Sequence, residues 1–231
     1  MSNTSSRKHR TERLARAAAL CDGEKICAAD RMVQLLEAVI EPGDRVAIEG
    51  DNQKQADFLA STLARVDPAR VHDLHMVQSV LALPDHLAVF ERGIANRLDF
   101  SFAGPQSRKL AELVASNSVK IGAIHTYLEL YARMLVDLTP QVALLVADKA
   151  DRHGNLYTGP NTEDTPTIAE ATAFRGGVVV VQVNEIVDRL PRVDIPGDWI
   201  DVVVQSPKPY AIEPLFTRDP RQIQLGAKFY F

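Results

Sequence analysis

The sequence predicts an α/β fold in which a mostly parallel open sheet carries helices on both faces. Short runs rich in β-branched residues alternate with amphipathic helical patterns along most of the chain, which is typical of parallel strands joined by helices. Some runs, such as VALLVA (142–147) and VVVVQV (178–183), are almost continuously apolar. This pattern is expected of strands that are buried on both faces.

The alternation begins near residue 30. Asp30 is expected to cap a helix over 30–40, in which apolar residues recur at three- and four-residue steps. The run RVAIEG (45–50) predicts the first strand, and a second helix is expected over 54–66, with Leu59 and Leu63 on one face. These segments form one βα unit.

Further strands and helices complete the predicted alternation. Apolar, β-branched runs predict strands at 71–77, 97–102, 119–125, 142–148, 177–183 and 198–205. Apolar residues at helical spacing predict helices at 80–94, 107–115 and 127–136. We therefore expect one α/β domain over 28–206, preceded by a basic, partly ordered and solvated segment (1–27) and followed by a Pro-rich tail (207–231). Trp199 is expected to be a packing aromatic beside the last strand.

Composition and charge exclude several classes of partner. The 231 residues include 26 Lys and Arg against 30 Asp and Glu, a net charge of -4, so no overall basic field favours nucleic acid or anionic membranes. No apolar run approaches the roughly 20 residues of a membrane helix, so a soluble protein is expected. Two cysteines, Cys21 and Cys27, cannot build a disulfide framework. They indicate reduced thiols and a cytoplasmic location.

Polar residues follow the predicted strands, at the edge where open parallel sheets bind ligands. After the first strand, the turn from Gly50 to Gln55 presents backbone N–H groups near a helix start, which could hold a carboxylate, a phosphate or an oxyanion. Lys54 could add a positive charge. The alternative is an ordinary turn in which Asp51 or Asn52 caps the helix.

Other strand ends carry further candidate residues. His125 could act as a base or a hydrogen-bond donor, or it could be a buried histidine satisfied by its neighbours. His72 and His75 point to opposite faces of a strand, so no metal site is predicted there, and a hydrogen-bonded histidine is the default. The long segment 151–166 is either functional or a solvated loop ordered by Asx turns.

Well-known nucleotide and hydrolase motifs are missing from the sequence. It contains no GxGxxG, Walker A or GxSxG pattern, and Gly50 lacks companion glycines. Dinucleotide, nucleoside triphosphate and serine-hydrolase chemistry are therefore disfavoured. A nucleotide-binding regulator is disfavoured for the same reason.

Several longer motifs resemble one family. EGDNQKQADFL, HDLHMVQS, LDFSFAGPQ, IGAIHTYLEL, ADRHGNLYTGPNTEDTP and RVDIPGDWIDVVVQSP together resemble the α subunit of bacterial malonate decarboxylase, over residues 30–221. That family is similar to the family I CoA-transferases, which share DRHGN, QVNEIVD and IPGDWIDVVV more widely. The resemblance implies the amino-terminal domain of a CoA-transferase-like fold.

The resemblance also implies a reaction. An acetyl thioester on an acyl carrier protein plus malonate gives a malonyl thioester plus acetate, and other subunits then decarboxylate the malonyl group. The expected partners are the carrier protein and the decarboxylase subunits, and a homo-oligomer is also possible. The carrier holds a CoA-like prosthetic group, so no covalently bound cofactor is expected on this chain. A related citrate lyase or acetate CoA-transferase subunit is the alternative specificity.

The resemblance assigns roles to named residues. Related transferases place a glycine-rich oxyanion loop where this chain has Gly50–Gln55, but most glycines are replaced here, which leaves the side chains of Asn52, Gln53 and Lys54 as donors. The remaining carboxylate or thioester contacts implied by the resemblance are Ser101, Gly104, Gln106, His125 and Thr126.

Members of this family continue into a second α/β half, which in related CoA-transferases carries the nucleophilic glutamate. Residues 224–231 contain no capping or turn signal, and the segment from residue 222 onward resembles a truncated terminus. We therefore expect half of an active-site cleft, with little transferase activity in the isolated chain. A non-catalytic interaction module is the alternative in another functional class.

Overall fold

The sheet is built from nine strands, of which only β7 is antiparallel to its neighbour. A computed structural model describes residues 3–21, 25–51, 53–210 and 212. Within these ranges the strand order is β1-β9-β8-β6-β2-β3-β4-β5, and β7 pairs with β6. The strands are β1 (Ile26–Cys27), β2 (Arg45–Ile48), β3 (Leu74–Val80), β4 (Ala95–Phe102), β5 (Lys120–Ile124), β6 (Val142–Ala150), β7 (Leu156–Tyr157), β8 (Val178–Ile186) and β9 (Val202–Gln205).

In the part of the chain that the structure describes, seven α-helices cover this sheet. They are α1 (Asn3–Ala18), α2 (Met32–Val39), α3 (Asp57–Leu63), α4 (Asp85–Glu91), α5 (Ser107–Ala115), α6 (Tyr127–Val136) and α7 (Thr165–Phe174), with short 3-10 helices at Ala29–Arg31, Gly104–Gln106 and Gly197–Trp199. None of the described helices combines the length and apolarity that a bilayer crossing requires.

Two apolar cores lie on opposite faces of the sheet. On the first face, α2, α3, α4 and α5 pack against strand residues such as Val46 and Ile48. On the second face, α6 and α7 pack against residues such as Ala47 and Ala143, and Trp199 packs beside them. Strand residues alternate between the two cores because successive side chains point to opposite faces. The predicted α/β class, with helices on both faces, and the packing role of Trp199 are confirmed.

Several element boundaries differ from the sequence prediction, among them those of α3, which spans Asp57–Leu63 instead of 54–66. The strand expected over 71–77 begins at Leu74, because Asp73 adopts a left-handed conformation with φ 57°. It then continues to Val80, so the helix expected over 80–94 is only α4, which starts after Pro84. The side chain of Asp30 makes no capping hydrogen bond, since it lies inside a 3-10 turn that precedes α2.

Helix α7 was not predicted. Its buried residues include Ala169, Ala171 and Thr172, which are small or polar and therefore leave a weak apolar stripe in the sequence. The segment 151–166, expected to be irregular, contains β7 and ends at the start of α7. The Pro-rich tail lies outside the described residues, except for 207–210 and Ile212, so its expected truncation stays a prediction.

Helix α1 is less solvated than its composition predicts. Ala17 is buried, and Arg13 forms an ion pair with Asp44 at 2.5 Å, in which both side chains are less than a tenth exposed. Arg13 also donates to the Val39 carbonyl and to Glu41. The basic residues of this segment therefore include one that anchors the helix to α2 and its following turn, which composition alone does not reveal.

We expect the Arg13→Ala variant to lose about 1–3 kcal/mol of unfolding free energy, because the nearly buried Asp44 carboxylate loses its charged donor. Urea unfolding measures this change. Lys8→Ala is the control, since Lys8 forms only an exposed pair with Glu12 at 4.0 Å. An equal effect of the two substitutions would contradict the anchoring role of Arg13.

Candidate active site

The candidate site lies at the carboxyl ends of the strands, where the direction of the chain through the sheet reverses. From β2 the chain proceeds outward through β3, β4 and β5, and then returns to place β6 on the other side of β2. Ligands of open α/β sheets bind beside such a switch point. The turn from Gly50 to Gln55 follows β2 at this position, as the sequence predicts.

The Gly50–Gln55 turn is closed by its own hydrogen bonds. Gly50 and Gln55 form an isolated antiparallel bridge, and the Asp51 N–H donates to the Lys54 carbonyl. Asp51 Oδ1 accepts from the backbone N–H groups of Gln53 (2.5 Å) and Lys54 (2.7 Å). Those two donors are therefore engaged inside the turn. Asp51 caps the turn itself, whereas α3 begins only at Asp57. Asn52 lies outside the described residues.

Lys54 points into the protein. Its side chain is fully buried, with Nζ 3.0 Å from Glu49 Oε1 and 2.9 Å from the Thr162 carbonyl, and it donates to Thr165 Oγ1 as well. These three contacts use the donors of the ammonium group. The sequence predicts Lys54 as a donor to a ligand, but its ammonium group faces the interior and holds the turn against the start of α7.

A cavity of about 360 Å³ opens beside the turn. Aromatic, acidic and amide side chains share its lining, which consists of Asp51, Gln53, Val80, Tyr127, Tyr131, Glu163 and Asp164. Among the sequence-predicted site residues that the structure describes, Gln53 is the one that borders the cavity. Its amide and the Tyr127 hydroxyl are neutral groups that can donate hydrogen bonds to a ligand.

Asp164 forms the buried wall of this cavity. It accepts hydrogen bonds from Ser79 Oγ and from the Tyr131 hydroxyl, and Ser79 Oγ also lies 2.9 Å from the Gly50 carbonyl. The pKa of Asp164 is raised to about 6, mainly by burial; the two hydroxyl donors oppose this shift, and nearby Glu49 and Asp51 add to it. This carboxyl therefore changes charge close to neutral pH.

The other two carboxyls of the cavity share this tendency. Burial raises the pKa of Asp51, against hydrogen bonds from Gln53 and Lys54. Burial also raises the pKa of Glu163, and Asp51 and Asp164 add to the effect. Glu163 has φ 38°, an uncommon value for a residue with a side chain. Protonation of these carboxyls would therefore reduce the repulsion of an anion in the cavity.

His125 is satisfied by neighbouring side chains. Its Nε2 lies 2.8 Å from Asp99 Oδ1 and its Nδ1 lies 3.1 Å from Glu129, while His75 Nε2 lies 2.6 Å from the other Asp99 oxygen. Burial alone would raise the pKa of Asp99, but the hydrogen bonds from His125 and His75 lower it. The structural alternative holds for His125, because both ring nitrogens already have partners. The default for His75 is likewise confirmed.

The space beside Asp99 exists because residue 122 is a glycine. A Cβ carbon at Gly122 would lie 2.0 Å from Asp99 Oδ2.

Thr126 follows His125 and caps α6, since its Oγ1 accepts from the Glu129 N–H at 3.2 Å. This residue is thus placed as a helix cap.

The remaining predicted residues lie at the end of β4 or just after it, outside the lining of the cavity. Ser101 Oγ is a buried hydroxyl without a hydrogen-bond partner in the described ranges. Gly104 adopts φ 51° at the start of a 3-10 turn, and Gln106 Nε2 donates weakly to the Ala82 carbonyl at 3.4 Å. Ligand contacts by these three residues stay predictions.

The pair that forms the buried wall, Tyr131 and Asp164, is not predicted as part of a site by the sequence. Tyr131 lies in a predicted helix, and Asp164 lies in the long segment 151–166. Nothing in the spacing of the sequence brings them together. No group of three potential metal ligands occurs among the described side chains.

The chain is similar to known proteins over most of its length. It is 55% identical over 212 residues to the acetyl-S-ACP:malonate ACP transferase of Malonomonas rubra, and the matched segment covers 92% of this chain and 38% of that protein. It is 56% identical, with a TM-score of 0.89, to a chain of a Pseudomonas malonate decarboxylase hetero-tetramer in complex with malonate, covering 94% of this chain and 40% of that chain. The chain thus spans about two fifths of these relatives.

A more distant likeness shows the fold alone. An acyl-CoA transferase from Escherichia coli O157:H7 has a TM-score of 0.68 and 18% identity, covering 89% of this chain and 56% of that chain. The sheet is therefore that of the CoA-transferase-like fold. The sequence also matches the family described as malonate decarboxylase, alpha subunit, transporter, over residues 2–227. The chain belongs to the malonate decarboxylase alpha subunit family.

Proposed function

We propose that this chain contributes the amino-terminal part of a transferase that exchanges acetate for malonate on the thioester of an acyl carrier protein. The identity with the Malonomonas rubra transferase carries this proposal. The cavity at the carboxyl ends of β2 and β3 supports it, because it offers hydrogen-bond donors beside a tightly closed turn. We also propose that the chain acts in the cytoplasm with carrier and decarboxylase subunits.

The exchange needs three things from a protein: a carboxylate held against the thioester carbonyl, donors for the oxyanion, and shelter from water. The amide of Gln53 and the hydroxyl of Tyr127 are the donors that line the cavity. Asp164, held by Ser79 and Tyr131, sets the charge of the buried wall. In its neutral form it repels a carboxylate substrate less than in its ionised form.

A titration with malonate tests this proposal. We expect saturable chemical-shift changes at the side chains of Gln53 and Tyr127, and weaker effects of citrate and acetate at equal concentration. The Gln53→Glu variant adds a negative charge to the cavity and is expected to bind malonate at least tenfold more weakly. Gln34→Glu is the matched control, because Gln34 is an exposed residue of α2, on the sheet face opposite to the cavity. Equal malonate affinity of both variants would contradict the site.

A non-catalytic interaction module remains the second candidate, because large apolar side chains are exposed beside the site. Ile124 is 68% exposed and Leu128 is 82% exposed. Phe102, at the end of the neighbouring strand β4, is exposed as well. Exposed apolar groups of this kind favour contact with another protein surface. Failure of malonate to shift any cavity residue would favour this candidate.

A further inference from the structure

A second polar cluster lies behind the turn, on the face of the sheet opposite to the cavity. The cavity wall is formed by α6 and the start of α7 on the second face, whereas His86 belongs to α4 on the first face. His86, Gln55 and Gln78 are each no more than 1% exposed. None of these three residues has been given a role in binding or chemistry.

Polar atoms of this cluster lack hydrogen bonds of normal geometry. Within the described chain, Gln55 Oε1, both amide atoms of Gln78 and both ring nitrogens of His86 have no partner. Burial lowers the pKa of His86 to about 4, against the opposing effect of the Val80 main chain, so the ring is neutral at neutral pH. Unpartnered buried groups are costly, and each needs a reason to be kept.

The contacts of Gly50 suggest the reason. A Cβ carbon on this residue would lie 2.7 Å from His86 Cε1 and 2.7 Å from Gln55 Oε1, so both side chains press directly against the main chain of the turn. The Gly50 carbonyl is held on its other side by the Val80 N–H and by Ser79 Oγ. Gly50 lies outside the left-handed region, so only these contacts exclude a larger residue.

We propose that His86 and Gln55 are positioning residues that fix the main chain at Gly50 from the side opposite to the cavity. Gln55 Oε1 is the end of a flexible side chain and can rotate away, whereas His86 Cε1 belongs to a rigid, fully buried ring. The imidazole therefore sets the position of the turn, and the amide supports it. This inference rests on the proposed function, in which the turn borders the ligand.

Amide hydrogen exchange of the full chain tests the inference without any ligand. We expect His86→Ala and Gly50→Ala each to speed exchange at the Gln53 and Lys54 amides about tenfold, because the turn loses its support or is displaced by the new methyl group. The double variant Gly50→Ala/His86→Ala is expected to exchange no faster than either single variant, since removing the ring makes room for the methyl group.

His72→Ala is the matched control, because this histidine is half-exposed and lies before the amino end of β3. Amides in the middle of β6 report global stability, and His86→Ala lowers it because the buried ring leaves a cavity. The turn amides are therefore expected to speed up more than the β6 amides of the same variant. Unchanged exchange in His86→Ala, or fully multiplicative effects in the double variant, would overturn the inference.

Malonate affinity of the same variants separates this inference from the proposed function. Faster exchange of the turn together with weaker malonate binding supports both. Faster exchange with unchanged malonate affinity supports the positioning role and contradicts the placement of the ligand beside the turn. Weaker malonate binding with unchanged exchange contradicts the positioning role alone.

Discussion

The Lys54→Met variant is expected to lose about 3–5 kcal/mol of unfolding free energy, because it leaves the Glu49 carboxylate buried without its charged partner. Glu49 would keep only its contacts with the Val146 N–H and the Thr165 hydroxyl. Chemical denaturation monitored by circular dichroism measures the loss. The effect is large because neither side chain of the pair is exposed to water.

A double variant and a surface control test the cause of this loss. Glu49→Gln/Lys54→Met is expected to recover part of the lost stability, since no unpaired charge remains in the interior. Lys149→Met should cost less than about 1 kcal/mol, because the Lys149–Glu185 pair is partly exposed. Similar losses for Lys54→Met and Lys149→Met would show that the buried pair does not stabilise the switch point.

Asp164 is expected to make the unfolding free energy depend on pH between about 4 and 7. Its pKa is raised from 3.8 to about 6 in the folded protein, so the folded state binds this proton more tightly than the unfolded state. The favourable contribution is complete below pH 4 and is lost as the pH rises through 6. A shift of this size corresponds to about 3 kcal/mol.

Comparison of the wild type with Asp164→Asn isolates this contribution. The difference in unfolding free energy between the two proteins should change by about 2 kcal/mol from pH 4 to pH 7, which is most of the full effect. Carbon NMR of the Asp164 carboxyl should give a titration midpoint near 6. Tyr131→Phe should move that midpoint upward, because it removes a hydrogen bond that stabilises the ionised form. A midpoint near 4 in the wild type would contradict the raised pKa.

Seven of the nine strands in the described residues could be predicted from the sequence because they are local features, whereas β1 and β7, of two residues each, could not. Runs such as VVVVQV (178–183) predict a buried strand without reference to any other part of the chain. Helix α7 could not be predicted in this way, because its buried face is built from small residues whose packing depends on the sheet beneath. The start of β3 depends on the backbone conformation of Asp73, which the residue type permits but does not require.

The site could be predicted only in its location. Polar residues at strand ends indicate the edge of the sheet where the cavity lies, and the turn after β2 lies at the switch point. The direction of a side chain is decided by distant partners instead. The sequence predicts Lys54 as a surface donor, whereas in the structure Glu49 and Thr165 surround its ammonium group. The sequence allows His125 to act as a base, whereas in the structure Asp99 and Glu129 contact its two ring nitrogens.

The glycine beside Asp99 has a consequence for the divergence of this family. A methyl group at residue 122 would overlap the Asp99 carboxylate. We therefore expect relatives to carry a side chain at this position only where Asp99 has been replaced or has moved. Such a change also takes away the acceptor that His75 and His125 share.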